Sequence, residues 1–443
     1  GGNNVYDVVI TAADALGNET QRAVAITVTD AHIWLLSVSN AGVQGDSYSE
    51  QPSISADGRY VAFLSLASNL VGSDTNGAED IFLRDLLLGT TARVSVDSAE
   101  VQGNNTSTSP SMSADGRYVT FLSYASNLVG SDNNGVGDIF VRDLTLGTTT
   151  RVSVDNAGMQ GNSDSVLPSV SADGRYVTFH SFASNLVGSD TNGTWDIFVR
   201  DSVDGTTSRV SVSSAEVQGD SDSSQASISA DGRYVAFNSY ASNLVGSDTN
   251  GYWDIFVRDL VDGTTTLVSV DSGGLPGNGG SYDPSISADG RYVSFTSAAS
   301  NLVAGDTNGA FDIFVRDLTL GITMRVSVNN AGVQGNSASD SSSVSADGRY
   351  VTFQSFASNL VAGDTNGAYD IFVRDLILGV TTRVSLDRAG VQGNGDSLSP
   401  SISADGRYVT FTSSASNLVT GDTNGTTRDI FVVDGVEQGW WFP

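Results

Sequence analysis

Asp74, Asn76 and Asp80 stand at positions one, three and seven of the segment Asp74-Thr75-Asn76-Gly77-Ala78-Glu79-Asp80. Ca2+ takes about six to eight hard oxygen ligands, and side-chain oxygens at this spacing around a glycine turn match the first half of a calcium loop. The pattern returns as Asp132/Asn134/Asp138, Asp190/Asn192/Asp196, Asp248/Asn250/Asp254, Asp306/Asn308/Asp312 and Asp364/Asn366/Asp370. A last copy, Asp422/Asn424/Asp429, carries one inserted residue. Backbone carbonyls and water would complete each set. No distal Glu is present, so the match to an EF-hand is partial. The same residues have a plainer use. Asp and Asn favour turns, Asn-Gly adopts left-handed backbone, and the closing Asp can cap a strand or pair with an Arg. The expectation taken to the structure is structural Ca2+ in some of these loops.

Other chemistry is scarce. The chain has no Cys, which removes disulfides, thiol catalysis and thiolate metal sites. Its two His are His32 and His180, so a Ser-His-Asp triad would have to use one of them. His180 falls where other copies of the segment carry Leu64, Leu122, Asn238, Thr296, Gln354 and Thr412. A strand position that varies so freely reads as a surface side chain, and no catalytic residue is assigned. Trp195, Trp253, Phe311 and Tyr369 share one loop position, which is Glu79, Gly137 and Arg428 elsewhere. Aromatics there either stack on a sugar or partner, or cover blade edges.

The balance of charge narrows the partners. The formal net charge is −29, and all 21 basic residues are Arg. Such a surface repels nucleic acid and anionic membranes. Arg at fixed places, as in Asp57-Gly58-Arg59-Tyr60, points to bidentate pairing with carboxylates within the fold. No apolar stretch approaches the length of a membrane span. The start at Gly1-Gly2-Asn3-Asn4, without Met, reads as a processed product or excised fragment.

A strict repeat positions all of these residues. Ser-Ala-Asp-Gly-Arg-Tyr-Val begins at Ser55, Ser113, Ser171, Ser229, Ser287, Ser345 and Ser403, always 58 residues apart. In the first unit Pro52 to Ser55 reads as a short strand, followed by a glycine turn. Tyr60 to Ser65, Asp80 to Leu86 and Thr91 to Val96 read as three more strands. Tyr60-Val61-Ala62-Phe63 and Ile81-Phe82-Leu83 are apolar on consecutive residues, as middle strands need when both sheet faces are buried. These features predict an all-β, seven-bladed propeller of four-stranded antiparallel blades. The seventh unit stops after its third strand. Trp34 to Ser39, followed by Val43-Gln44-Gly45, matches a fourth strand and its loop, so the N-terminus is expected to close the ring. The loop between strands two and three and the loop between blades should then share one face.

Ser-Ala-Asp-Gly-Arg-Tyr-Val-Ala-Phe, followed by Asp-Ile-Phe-Leu-Arg-Asp-Leu, resembles the TolB-type, WD-repeat-like propeller repeat of bacterial periplasmic and secreted proteins. That resemblance implies scaffold or protein-binding roles more often than catalysis. Residues 1–31 read as a β-hairpin segment, Tyr6 to Ala12 with Ala23 to Thr29. They resemble the end of a cadherin-like or bacterial immunoglobulin-like domain. The expected division is the hairpin at 1–31, the propeller at 32–434 and an aromatic tail, with Trp440-Trp441-Phe442-Pro443, at 435–443.

Near-identical blades present rings of one group, whereas an active site needs different groups at one point. The expectation is therefore a non-catalytic scaffold, adhesion or protein-binding propeller, secreted or at the cell surface, or alternatively periplasmic. Its partner is a protein or a second copy, met through the termini or the long-loop face, with a glycan as a further candidate. Two other readings are carried: a self-assembling filament or surface-layer subunit, and a carboxylate-based carbohydrate-active enzyme. Asymmetric function is expected at the termini, the non-repeated parts.

Overall fold

The computed structural model describes residues 33–435 in full, together with the backbone of the strands Val5–Ala13 and Glu19–Thr27. Those two strands pair only with each other, in a two-stranded antiparallel sheet. His32 and the expected aromatic tail lie outside the described residues, as do the side chains of the hairpin.

Seven four-stranded antiparallel sheets follow, six built in simple sequence order and the seventh completed by an N-terminal strand. Blade one comprises Ser49–Ile54, Tyr60–Ser65, Asp80–Asp85 and Thr90–Arg93. First strands of neighbouring blades touch around the axis, so each blade runs from axis to rim. The middle strands are buried on both faces, as their unbroken apolar runs require. Phe63 and Phe82 stack within blade one at 6.0 Å. Ala62, Leu64 and Ile81 pack on Val119, Phe121 and Phe140 of blade two. Each large apolar side chain in this core is worth about 1.5–3 kcal/mol of burial.

The first strand is longer than the sequence suggests. It starts at Ser49, not Pro52, and the register slips between Glu50 and Ser53 in a β-bulge. All seven first strands carry this bulge. A bulge breaks the alternation by which a strand is recognised, which is why residues 49–51 read as loop.

The Asp-Gly-Arg-Tyr turn binds blade to blade. Arg59 donates to Asp85 from Nε at 3.1 Å and from Nη2 at 2.7 Å, and its guanidinium lies 4.6 Å over Tyr60. Gly58 sits under the ring of Tyr408 from blade seven, where an added Cβ would lie 2.0 Å from Tyr408 Cδ2. Beside these turns a closed circuit of backbone hydrogen bonds girdles the axis. Ala56, Ala114, Ala172, Ala230, Ala288 and Ala346 each donate to the next, and Ala404 donates back to Ala56 at 3.1 Å.

The ring closes as expected. Ile33–Leu35 pairs antiparallel with Asp429–Asp434 as the fourth strand of blade seven. Leu36 N–H adds a bond to Ile430 O at 2.7 Å, and Ser37 Oγ donates to Asp429 at 2.5 Å. Closure gives the third strand of blade seven the partner its own repeat lacks.

Candidate functional site

The fold brings both long loops of each blade together on one face, and the Asp-x-Asn-Gly residues meet there. In blade one Asn76 Nδ2 donates to Asp80 Oδ2 at 3.2 Å and to Gly103 O at 2.9 Å. Its Oδ1 is turned away and accepts the Ala78 N–H at 2.9 Å. Arg93, from the fourth strand, lies 3.4 Å from both Asp74 and Asp80. Gln102, from the inter-blade loop, donates to Asp74 at 2.9 Å and to Asp80 at 3.0 Å. Burial pushes the Asp80 carboxyl up even so.

In four more blades the Asn and the Arg take the same places, while the Gln bonds to both Asp residues recur in blade three. Asn134 donates to Asp138 at 3.0 Å, and Asn192 donates to Asp196 at 3.2 Å. Asn308 donates to Asp312, and Asn366 donates to Asp370, each at 3.0 Å. The cause is a backbone carbonyl on the far side of each carboxamide: Gly161, Gly219, Gly335 and Gly393. A carbonyl can only accept, so it draws Nδ2 inward. The amide oxygens instead accept the N–H groups of Val136, Thr194, Ala310 and Ala368 in their own turns. These Asn therefore show the paired Asp an NH2 group, not the oxygen a cation needs.

The Asp residues are engaged as well. Arg151 lies between Asp132 and Asp138, and Arg209 between Asp190 and Asp196. Arg325 lies between Asp306 and Asp312, and Arg383 between Asp364 and Asp370. In these five blades a guanidinium supplies the positive charge a cation would bring. Calcium there would have to displace the Arg and rotate the Asn amide. Among the described residues no three His, Cys, Asp or Glu gather as a metal set.

Two blades differ. Blade seven has Leu35 in place of the Arg but keeps the Gln, as Gln44, which donates to Asp422 at 3.0 Å and Asp429 at 2.7 Å. Its inserted residue loosens the turn. Asn424 reaches Gly45 O at 3.3 Å, and its Oδ1 is buried with no hydrogen-bond partner among the described residues. Blade four has lost both Arg and Gln, with Leu267 for the first and Pro276 for the second. Asp254 is fully buried there, held by Ser269 and Asn250 alone, and burial pushes its carboxyl to about 6. Burial also pushes Asp248 up.

A second locus lies on the axis. The third residue of each first strand occupies left-handed backbone, at φ between 48° and 55°: Gln51, Ser109, Leu167, Gln225, Asp283, Ser341 and Ser399. Such a conformation is costly for any of these residues and persists only where its surroundings fix it. Side chains from neighbouring blades do so. Gln51 Oε1 accepts Ser109 N–H at 3.0 Å, and Gln354 Oε1 accepts Ser399 N–H at 2.8 Å. Gln225 donates to Asp283, and Gln354 donates to Asp340. Burial pushes both of these carboxyls up. The bulge residues and their neighbours line an axial cavity of about 360 Å3.

Aromatic side chains form a crescent around the mouth of this cavity on the long-loop face. Phe182 and Trp195 of blade three lie 5.7 Å apart. Tyr240 and Trp253 of blade four lie 5.9 Å apart, Trp253 is 6.4 Å from Tyr282, and Tyr282 is 6.1 Å from Phe311. Phe356 and Tyr369 of blade six lie 5.4 Å apart. Phe182, Tyr240, Phe311 and Phe356 are exposed. The opposite side of the mouth carries ionic pairs. Arg428 meets Glu50 at 2.7 Å, and Tyr48 donates to Glu79 at 2.5 Å, a bond that raises the Tyr48 phenol to about 12.

His180 corrects the sequence reading. It is not a surface side chain: it is 7% exposed, edge-on to Trp195 at 4.9 Å. Its Nδ1 accepts the Gln225 N–H at 3.3 Å and meets Ser224 Oγ at 3.1 Å. The axial ring itself was missed. The signal was nevertheless present, since the positions of Glu50, Gln51, Leu64, Leu66 and Glu79 vary freely among copies that are otherwise nearly constant.

No protein-family model matches the chain, and no curated protein is similar to it. Solved structures are. The β-propeller domain of the trilobed protease from Pyrococcus furiosus is similar over 88% of this chain and 94% of its own, at 14% identity and a TM-score of 0.54. An oligogalacturonate lyase, solved with manganese, is similar over 97% and 96%, at 13% identity and a TM-score of 0.54. The chain folds as a β-propeller. TolB from Acinetobacter baumannii is also a structural neighbour, at 19% identity and a TM-score of 0.39, with 72% of this chain and 59% of that one covered. At these identities the likeness concerns the fold alone. Among the described residues no helix is long and apolar enough to cross a membrane.

Proposed function

We propose that this propeller is a non-catalytic binding module of a secreted or cell-surface protein, and that it engages its partner at the axial mouth on the long-loop face. One observation carries the reading. Among the positions that differ from blade to blade are those of Glu50, Gln51, Leu64, Leu66 and Glu79, and these lie on the axial first strand or bonded beside it. Variation among equivalent blades gives seven different groups around one point, which a ring of identical turns does not provide. Asp283 and Asp340 are each bonded to a side-chain amide, and burial pushes both carboxyls up.

The test is retention of the labelled propeller on purified cell envelopes of the source organism. Trp195→Ala and Trp253→Ala should each lose most of the retention. Leu146→Ser, on the opposite turn face, should keep it. Equal retention by all three proteins would end the proposal.

Calcium enters this proposal at one place, the loop of blade four. Leu267 and Pro276 leave Asp248 and Asp254 there without the guanidinium that engages their counterparts in five blades or the Gln amide that engages them in blades one, three and seven.

A further inference from the structure

We propose, resting on the mouth as the binding site, that its ligand is a neutral glycan chain laid along the aromatic crescent of blades three to six.

The charge of the mouth selects the class. The chain carries −29 and no Lys, while the cavity is lined mostly by Ser, Gln and Pro with Asp283 as its one acid. An anionic chain would be repelled and would have to be desolvated beside carboxylates. A cationic ligand calls for several carboxylates facing one point, and the cavity lining holds Asp283 as its one acid. Asp283 and Asp340 accept from Gln225 and Gln354. Glu79 accepts from Tyr48, and Glu50 pairs with Arg428. Asp222 accepts the backbone N–H of Trp195, and Asp396 accepts that of Tyr369, each at 2.9 Å. Carboxylates bonded in this way keep spare lone pairs for hydroxyl donors.

The aromatic surface selects the shape. Tyr240, Trp253, Tyr282 and Phe311 follow one another at steps of 5.9, 6.4 and 6.1 Å, with interplanar angles of 48°, 39° and 69°. This is a curved row of tilted rings, suited to successive apolar faces of an extended chain. Rigid aromatics of this kind supply contact area at small entropic cost. The acceptors and donors along the row are amides, hydroxyls and bonded carboxylates, the groups that read hydroxyls. Trp195, beside Phe182 in blade three, is held edge-on by His180 before any ligand arrives.

The experiment uses the full chain and three sets of probes: neutral cello-, manno- and chito-oligosaccharides, anionic oligogalacturonate, and oligoarginine. Calorimetry and tryptophan fluorescence report binding. At least one neutral series should bind. Trp253→Ala should weaken it about tenfold or more, and Trp253→Phe should restore part of the loss. Circular dichroism checks that the variants fold. Neutral glycans that stay silent, or that bind Trp253→Ala as well as the parent, overturn the glycan class. If oligoarginine or oligogalacturonate binds at the mouth instead, the class is wrong and the mouth reading survives. If envelope retention is also indifferent to Trp195 and Trp253, both fail together.

Discussion

His180 accepts the backbone N–H of Gln225 through Nδ1 at 3.3 Å, across the boundary between blades three and four. The bond fixes the tautomer, with the proton on Nε2, and holds Gln225 in its left-handed conformation at φ 51°. Burial lowers the imidazole pKa to about 4, against about 6.5 in an unfolded chain. Between those values the unfolded state takes up a proton that the folded state refuses. The contribution of neutral His180 is therefore complete above the unfolded value and is lost as pH falls toward about 4, a change of roughly 3 kcal/mol. His180→Gln keeps an acceptor without the titration. Relative to the parent, it should gain stability as pH falls from neutral to about 4, as measured by urea unfolding. His180→Leu should show the same pH trend with an added loss of about 1–3 kcal/mol for the unmet N–H. A parallel pH profile for parent and His180→Gln would refute the burial argument.

Leu267 decides the calcium question. Where blades one, two, three, five and six carry Arg, added Ca2+ has an internal competitor. Ca2+ should raise the melting temperature of the parent through blade four, since ligand binding to the folded state alone stabilises it. Leu267→Arg should abolish that rise and should itself stabilise the chelated protein by supplying the missing guanidinium. Coincident melts of the parent with Ca2+ and with chelator would leave all seven loops as hydrogen-bonded turns.

The blade architecture was legible because Val61, Phe63, Ile81 and Phe82 must be buried on both sides, and a 58-residue period repeats that demand seven times. Closure was legible because Trp34 to Gln44 copies a missing strand and its loop. The site was not, for two physical reasons. The bulge at Glu50-Gln51 breaks the strand pattern and hides the residues that line the axis. The partners of Asp74 and Asp80 are distant in sequence, Arg93 on the rim strand and Gln102 in the next loop, so a turn motif read alone looked like a cation site. The carbonyl of Gly103, which turns the Asn76 amide, is equally remote. His180 looked superficial because its position varies. The position faces the left-handed backbone of the next blade, as His180 does at Gln225 and Gln354 does at Ser399, a contact that no single repeat contains.

Closure should be a large part of stability. Ile33 and Leu36 are almost fully buried, and both pack against the last blade's third strand. Each truncation to Ala should cost about 2–5 kcal/mol. The double variant Ile33→Ala/Leu36→Ala should unfold at clearly lower urea and should aggregate as the edge of Asp429–Asp434 is released. A midpoint unchanged from the parent would mean that the ring holds without its N-terminal strand.

Gly58 and Gly77 separate backbone strain from packing at the closing seam. Both hold left-handed backbone, at φ 73° and 63°. A Cβ at Gly77 would meet nothing within 4 Å, whereas a Cβ at Gly58 would lie 2.0 Å from Tyr408 Cδ2. Gly77→Ala should therefore cost only the left-handed penalty, about 1–2 kcal/mol. Gly58→Ala must bear the same penalty and also move the Tyr408 ring. That ring lies under the Arg407 guanidinium at 4.8 Å, and Arg407 pairs with Asp434 at 2.6 Å. Shifting it disturbs the packing of the first blade against the C-terminal strands of the last. Gly58→Ala should consequently lose at least about 2 kcal/mol more than Gly77→Ala, a cost in the range of overpacked cores. Urea unfolding of the two single variants measures the difference. Equal losses would show that the turn relaxes away from Tyr408 and that the seam is not tightly packed.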